Sequence, residues 1–249
     1  MAGEDRDSWV AGVDGCRAGW LVVLRPLDAP HAARISIVPQ FAEVLELKPQ
    51  PTVIAVDMPI GLIERSGIGG RPADVQARAN LGARQSAVFS MPSRAAVMEM
   101  DYGMACATAF ATSDPPRKVS KQAFNLFAKI REIDRLMTPE LQERVIEVHP
   151  ELAFWALNGE RALELAKKVK SRPNEPGLAF RRGLLSAAGY DEALLAGRGG
   201  FRAADAGPDD LLDAAACSWS AARIARGEGR RFPSEPAIDA KGLRMEIWC

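Results

Sequence analysis

Five carboxylates stand at points of this chain where metal or proton chemistry could use them. Asp14 ends the apolar run AGVD (11–14), and Asp57 ends TVIAVD (52–57). Asp210 and Asp213, in PDDLLDA (208–214), are three residues apart and share one helix face. Glu147 lies near the end of RVIEVH (144–149). A buried carboxylate is costly without a partner. Asp14 and Asp57 therefore either end their strands in solvent or meet other groups. If the two strands are parallel neighbours, the acids emerge about 5 Å apart. Like charges that close repel unless a proton or cation intervenes. Asp14, Asp57, Asp210 and Asp213 make an all-oxygen donor set, the kind Mg2+ and Mn2+ prefer. Two such ions about 4 Å apart activate water and stabilise the leaving oxygen in phosphodiester cleavage. The competing reading is plainer: an Asp after a strand caps a turn, and DxxD at a helix start answers the helix dipole. Asp209 is the better N-cap candidate of that helix.

Cationic side chains follow the acids. Arg71, Arg78, Arg84 and Arg94 cluster after Asp57, and arginine clamps phosphate bidentately. Arg84, Arg94 and Lys121 are the expected substrate-binding residues. Lys121 follows Ser120 at a helix N-terminus, a natural anion site. Lys167, Lys168, Lys170 and Arg172 form a basic loop that reads as solvated surface. His149, between a strand and Pro150, reads first as a satisfied structural histidine and second as a general base. Trp20, Trp155 and Trp219 lie in apolar segments and read as core. No GxxxxGK[ST], GxGxxG or GxSxG pattern is present, so P-loop, Rossmann and nucleophile-elbow readings fail.

The elements that must position these groups alternate between strand and helix patterns. Residues 9–14, 20–25 and 33–38 read as three strands with short connections, an antiparallel meander. FAEVLEL (41–47) fits a short helix. Residues 52–62 are a buried strand stopped by Pro59 and Gly61. Helices are expected at 74–82, 95–111 and 121–137, with Ser120 as N-cap of the last. Strand 144–149 leads to a helix starting at Pro150. Further helices span GLAFRRGLLSAAG (177–189) and the long GPDDLLDAAACSWSAARIARG (207–227). GRGG (197–200) reads as an ordinary loop, residues 227–243 as an irregular tail, and MEIWC (245–249) as a last strand. The pattern predicts an α/β sheet covered by helices.

Composition bounds the rest. The chain has 249 residues, 47% of them apolar, with 32 Lys+Arg balanced by 32 Asp+Glu. Bulk charge gives no attraction to nucleic acid or membrane, and a nucleic-acid partner would need a locally basic face. Four scattered cysteines without CxxC or nearby His read as free thiols of a reducing compartment. The polar start MAGEDRDS is unlike a signal peptide, and no apolar run reaches the length of a membrane span. The expected setting is cytoplasmic, with no membrane partner.

Six blocks in order, GVDGCRAGW (12–20), AVDMPIGL (55–62), RPADVQARANLGARQSAVF (71–89), VSKQAF (119–124), EVHPELAF (147–154) and DDLLDA (209–214), make the chain resemble the DUF429 proteins, described as predicted nucleases of RNase H-like fold. The resemblance spans most of the chain. It implies a mixed five-stranded sheet, three antiparallel strands plus two parallel ones, flanked by helices. It also implies one domain over residues 1–249, with a helical insertion at about 63–142. The acids of that superfamily fall on Asp14, Asp57, and Asp210 with Asp213, most like the Holliday-junction resolvase type. Glu147 has no standard place in that scheme and is expected to act as a family-specific ligand or base. The family usually has Cys before the Asp of RPAD; Ala73 here argues against a thiol role at that position.

The leading expectation is therefore a Mg2+- or Mn2+-dependent phosphodiesterase acting on nucleic acid or a nucleotide. A second is an ATP-binding phosphotransferase of the sugar-kinase and actin-like type, with DGCRAG and DMPIG as phosphate turns. Such proteins pair two domains, so this reading calls for a homodimer. A third is a non-catalytic binding module on the same fold.

Overall fold

A computed structural model describes residues 8–170, 172–197 and 200–249. The acidic start and the middle of GRGG lie outside them. In chain order the elements are β1 (Trp9–Cys16), β2 (Gly19–Pro26), β3 (Arg34–Val38), α1 (Phe41–Leu45), β4 (Val53–Val56), α2 (Pro72–Ala79), α3 (Arg94–Met98), α4 (Tyr102–Ala111), α5 (Lys121–Leu136), β5 (Val145–Glu147), α6 (Pro150–Leu157), β6 (Lys168–Val169), β7 (Arg172–Pro173), α7 (Glu175–Ala187), α8 (Glu192–Ala196), α9 (Pro208–Ala225), β8 (Arg231–Ile238) and β9 (Arg244–Trp248).

The main sheet has the order β3-β2-β1-β4-β5. The first three strands form the expected meander, with β1 antiparallel to β2 and β2 antiparallel to β3. β4 and β5 add in parallel. This is the mixed sheet of three antiparallel and two parallel strands that the sequence implies. Strand alternation sends Val10 to one face and Ala11 and Val13 to the other. Ala11, Val13, Val22 and Ile54 pack with Phe127, Ile130 and Ile133 of α5. Val10, Leu21, Val23 and Ala55 pack with α6, α7 and α9. Both faces are covered, so the central strands can be apolar throughout.

α9 lies directly on β1. A Cβ built on Gly12 would stand 2.0 Å from Ser218 N and 2.1 Å from Ala214 O, so only glycine fits. The run Ala214-Ala215-Ala216-Cys217-Ser218 is buried on the helix side. Small residues on both partners let helix and strand approach closely, and this seats the N-terminal turns of α9 over the ends of β1 and β4.

Several expected boundaries change. The strand over 52–62 is hydrogen-bonded only over Val53–Val56, because Pro59 and Gly61 (φ +78°) turn the chain. The helix over 95–111 breaks into α3 and α4, since the carboxylate of Asp101 accepts from Met104 N at 2.9 Å and starts a new helix. Eight residues of the tail over 227–243, Arg231–Ile238, form β8, paired antiparallel with β9. Its two prolines hide the strand in the sequence, and the ladder tolerates them with a register shift between Phe232 and Ala237. The basic loop holds the two-residue strands β6 and β7. No helix among the described residues is long and apolar enough to cross a membrane.

Candidate functional site

The site forms at the carboxyl ends of β1 and β4, where open α/β sheets usually keep their ligands. Val13 pairs with Val56, and Asp57 N donates to Val13 O at 2.9 Å. Asp14 and Asp57 thus follow one matched pair on adjacent parallel strands. Both line a cavity of about 320 Å³ together with Lys167, Lys168 and Arg84.

Burial drives the acids toward the protonated form. It holds the Asp14 carboxyl well above the usual carboxylate range, and the charges of Asp57, Asp213 and Asp210 push it further. Asp57 rises to about 6, chiefly by burial, with Lys167 pulling the other way. Asp213 rises to about 7 for the same reasons, with Asp57 adding to the rise. Asp210 is raised less severely, and its carboxylate accepts from Gly207 N at 2.8 Å. Asp210, not Asp209, therefore ties down the start of α9, because Pro208 takes the first helical position. Asp209 is buried inside the first turn and pairs with Lys168 Nζ at 2.6 Å.

Lys167 is the main departure from expectation. Its side chain is half-buried and turned onto the acids: Nζ hydrogen-bonds Asp213 Oδ2. Burial opposes its charge, yet Asp213, Asp14 and Asp57 together outweigh burial and raise its pKa. The segment is held in place locally. Asn174 donates its amide to Lys167 O at 2.9 Å and its Nδ2 to Ala166 O at 2.8 Å. Gly177 lets Ala166 come close, since a Cβ there would lie 2.0 Å from Ala166 O. One ammonium thus serves three buried acids, and burial holds them toward their neutral forms despite it.

The donor chemistry suits a hard divalent cation: all oxygens, with Oδ1 of Asp213 buried and lacking a hydrogen-bond partner. As placed, however, no three His, Cys, Asp or Glu side chains among the described residues are gathered tightly enough to hold an ion. The expected finished cage is therefore not formed. Lys167 lies among the acids, and a cation there would compete with it for Asp213.

Glu147 lines the same cavity but is already engaged. Arg71 Nη1 and Nη2 grip its two oxygens at 2.8 and 2.6 Å, and Ile60 N donates at 2.6 Å. Arg71 also binds Asp74 through Nε and Nη2, at 3.0 and 2.7 Å. All three residues are buried. Burial raises the Glu147 carboxyl to about 7 against the pull of Arg71. This network holds the turn after β4 against β5, so the Glu147 carboxylate is engaged rather than free.

His149 takes the structural role. Its Nδ1 accepts from Glu151 N at 3.2 Å, capping α6, and Nε2 lies 3.3 Å from Ala87 O. Burial lowers its pKa and keeps the ring neutral. Of the three expected substrate-binding cations, Arg84 reaches the cavity. Its nearest charged partner is Glu151, at 3.8 Å, and its Nε is buried without a hydrogen-bond partner. Arg94 is spent on Asp134 and Asp239, and Lys121 lies over the rings of Tyr102 and Phe124 at 4.3 and 5.1 Å. Neither lines the cavity.

No curated protein and no solved structure matches this chain. A family model described as a protein of unknown function, DUF429, matches residues 12–238. The matched stretch runs from within β1 to the end of β8 and carries the whole acidic cluster with Lys167, Arg71 and Arg84, so the chain belongs to the DUF429 family.

Proposed function

We propose that this protein is a Mg2+- or Mn2+-dependent phosphodiesterase, a nuclease-type hydrolase on an RNase H-like sheet. The observation that carries the reading is that Asp14 and Asp57 leave adjacent parallel strands at one level beside the cavity, with Lys167 there shared between them and Asp213 of α9. A cluster of acids so placed is unstable without protons or cations. Asp14, Asp57, Asp210 and Asp213 are the residues that would hold the ion. When bound, a divalent ion lowers the pKa of water and neutralises charge on the phosphoryl oxygens.

The chain's own part is to collect and orient. Arg84, Lys167 and Lys168 line the cavity as cationic groups beside the acids. The Arg71–Glu147 pair fixes the turn that presents Asp57, since Arg71 also holds Ile60 O and Gly61 O. In the reaction, a water oxygen bonds to phosphorus and a P–O ester bond breaks. The departing oxygen gains a proton, leaving an alcohol and a phosphomonoester.

The test is Mn2+ binding by calorimetry on the wild type, Asp14→Asn and Asp213→Asn, followed by cleavage assays. The reading expects binding and cleavage in the wild type and loss of both in the variants. Cleavage retained by both folded variants overturns it. The phosphotransferase reading gains no support from the DGCRAG turn: Ala18 N is taken by Asp205 O at 3.0 Å, and Lys129 lies against Gly15, within 2.6 Å of a Cβ there.

A further inference from the structure

Beside the acids the cavity is largely apolar. Its walls include Met58, Pro59, Val88, Phe89, Met91 and Leu126. Phosphodiester chemistry on a nucleic-acid backbone has no use for such walls, since a backbone presents sugars and phosphates rather than flat apolar faces. At about 320 Å³ the cavity falls at the small end of the range that holds a single small molecule. A duplex, whose major groove alone is about 12 Å wide, cannot enter it. The chain also carries no net positive charge, whereas duplex binding relies on many phosphate contacts.

The polar groups at the cavity favour an anion with a flat, hydrogen-bonding body. Arg84 is only loosely paired, with a buried Nε lacking a hydrogen-bond partner among the described residues. Glu151 is buried, lines the same cavity and has an Oε2 without a partner, although Oε1 accepts from Arg181 at 2.7 Å. An unpaired buried acceptor of this kind calls for an N–H donor. An edge of donors and acceptors at Arg84 and Glu151, which lie 3.8 Å apart, an apolar wall of Phe89, Met58 and Met91, and a phosphate toward Lys167 and Lys168 beside the acids together describe one chemical object.

We propose that the cavity binds the base of a single nucleotide unit, free or at the end of a single strand, and places its phosphate beside Asp14 and Asp57. The substrate class is thus a small or terminal nucleotide phosphodiester rather than the interior of a duplex. This rests on reading the acidic cluster as the phosphodiester site, but its test does not depend on turnover.

The experiment is calorimetry in Mn2+ with AMP, GMP, CMP and UMP, with inorganic phosphate, with a single-stranded 10-mer and with a covalently closed duplex. At least one mononucleotide should bind at least tenfold more tightly than phosphate. Competition by the 10-mer but not by the closed duplex identifies strand ends as a second source of the same unit. Ala87→Trp fills the cavity from a half-buried position while its carbonyl still faces His149. It should weaken nucleotide binding more than tenfold and leave Mn2+ affinity unchanged. Arg84→Gln, the second variant, should weaken monophosphates and free nucleosides alike by about tenfold and leave inorganic phosphate little changed. Mononucleotide binding without any cleavage would keep this inference and sink the hydrolase reading. Cleavage of the closed duplex with no mononucleotide binding, or nucleotide binding unmoved by both folded variants, overturns the inference.

Discussion

Arg71 holds both carboxylate oxygens of Glu147, at 2.8 and 2.6 Å, across 76 residues of sequence and with both side chains buried. The pair joins the turn after β4 to the end of β5, and Asp74 shares the same guanidinium. Breaking a buried pair leaves an uncompensated charge and typically costs about 3–5 kcal/mol. Arg71→Met and Glu147→Gln should each lower the thermal midpoint by several degrees with or without Mn2+. Thermal melts that leave Glu147→Gln as stable as the wild type, with cleavage lost, would return Glu147 to a direct chemical role.

The acids of the cluster predict the opposite sign. Asp57 has a raised pKa of about 6 in the fold against 3.8 for the free side chain. The native state therefore holds its proton more tightly than the unfolded state. Between about pH 4 and 6 the fold binds more protons, so this group costs more stability as pH rises and the full cost is present above about pH 7. Asp57→Asn removes the cost. Its stability should match that of the wild type near pH 4 and exceed it at pH 8 without divalent ions. Urea melts at both pH values measure the difference, and a gap that does not change with pH would show that Asp57 is compensated in a way the burial argument omits.

Gly12 tests how the helix seats the acids. A methyl group there must displace backbone of α9 at Ala214 or Ser218. Overpacking of this kind costs about 1–3 kcal/mol. Because Asp213 precedes Ala214, Gly12→Ala should also weaken Mn2+ binding, although residue 12 touches no ion. A variant that loses stability but keeps full Mn2+ affinity would mean that α9 shifts without moving Asp213.

Much of this site was legible in the sequence because its parts are local. Apolar runs ending in Asp marked β1 and β4, and DxxD on a small-residue helix marked α9. The shared level of Asp14 and Asp57 followed from parallel pairing alone. What was not legible depends on distant partners. Lys167 meets Asp213 across 46 residues, and nothing in KKVKSR separates it from a solvated basic loop. Glu147 reads as a ligand or base at the end of its strand until Arg71 arrives. Arg94 looked equally able to bind phosphate, but Asp134 and Asp239 reach it first. β8 was hidden by Pro233 and Pro236, which argue against a strand in any local reading.

Lys167 offers the sharpest separation between a structural and a chemical role for the cluster. Its ammonium bonds Asp213 and lies in the field of Asp14 and Asp57. A bound divalent ion would compete for the same carboxylate. Lys167→Met removes the built-in charge and leaves the acids to repel one another, so the metal-free variant should be less stable than the wild type at pH 8. The same variant has no competitor for the ion. Mn2+ should therefore raise its thermal midpoint by more than it raises that of the wild type, since a ligand stabilises in proportion to its affinity for the native state. Gly177→Ala should push Ala166 and the neighbouring Lys167 outward and give a weaker version of the same pattern. Equal Mn2+ stabilisation in the wild type and Lys167→Met would mean that the ion binds away from Asp213, and the cluster would then be a structural charge network closed by its lysine.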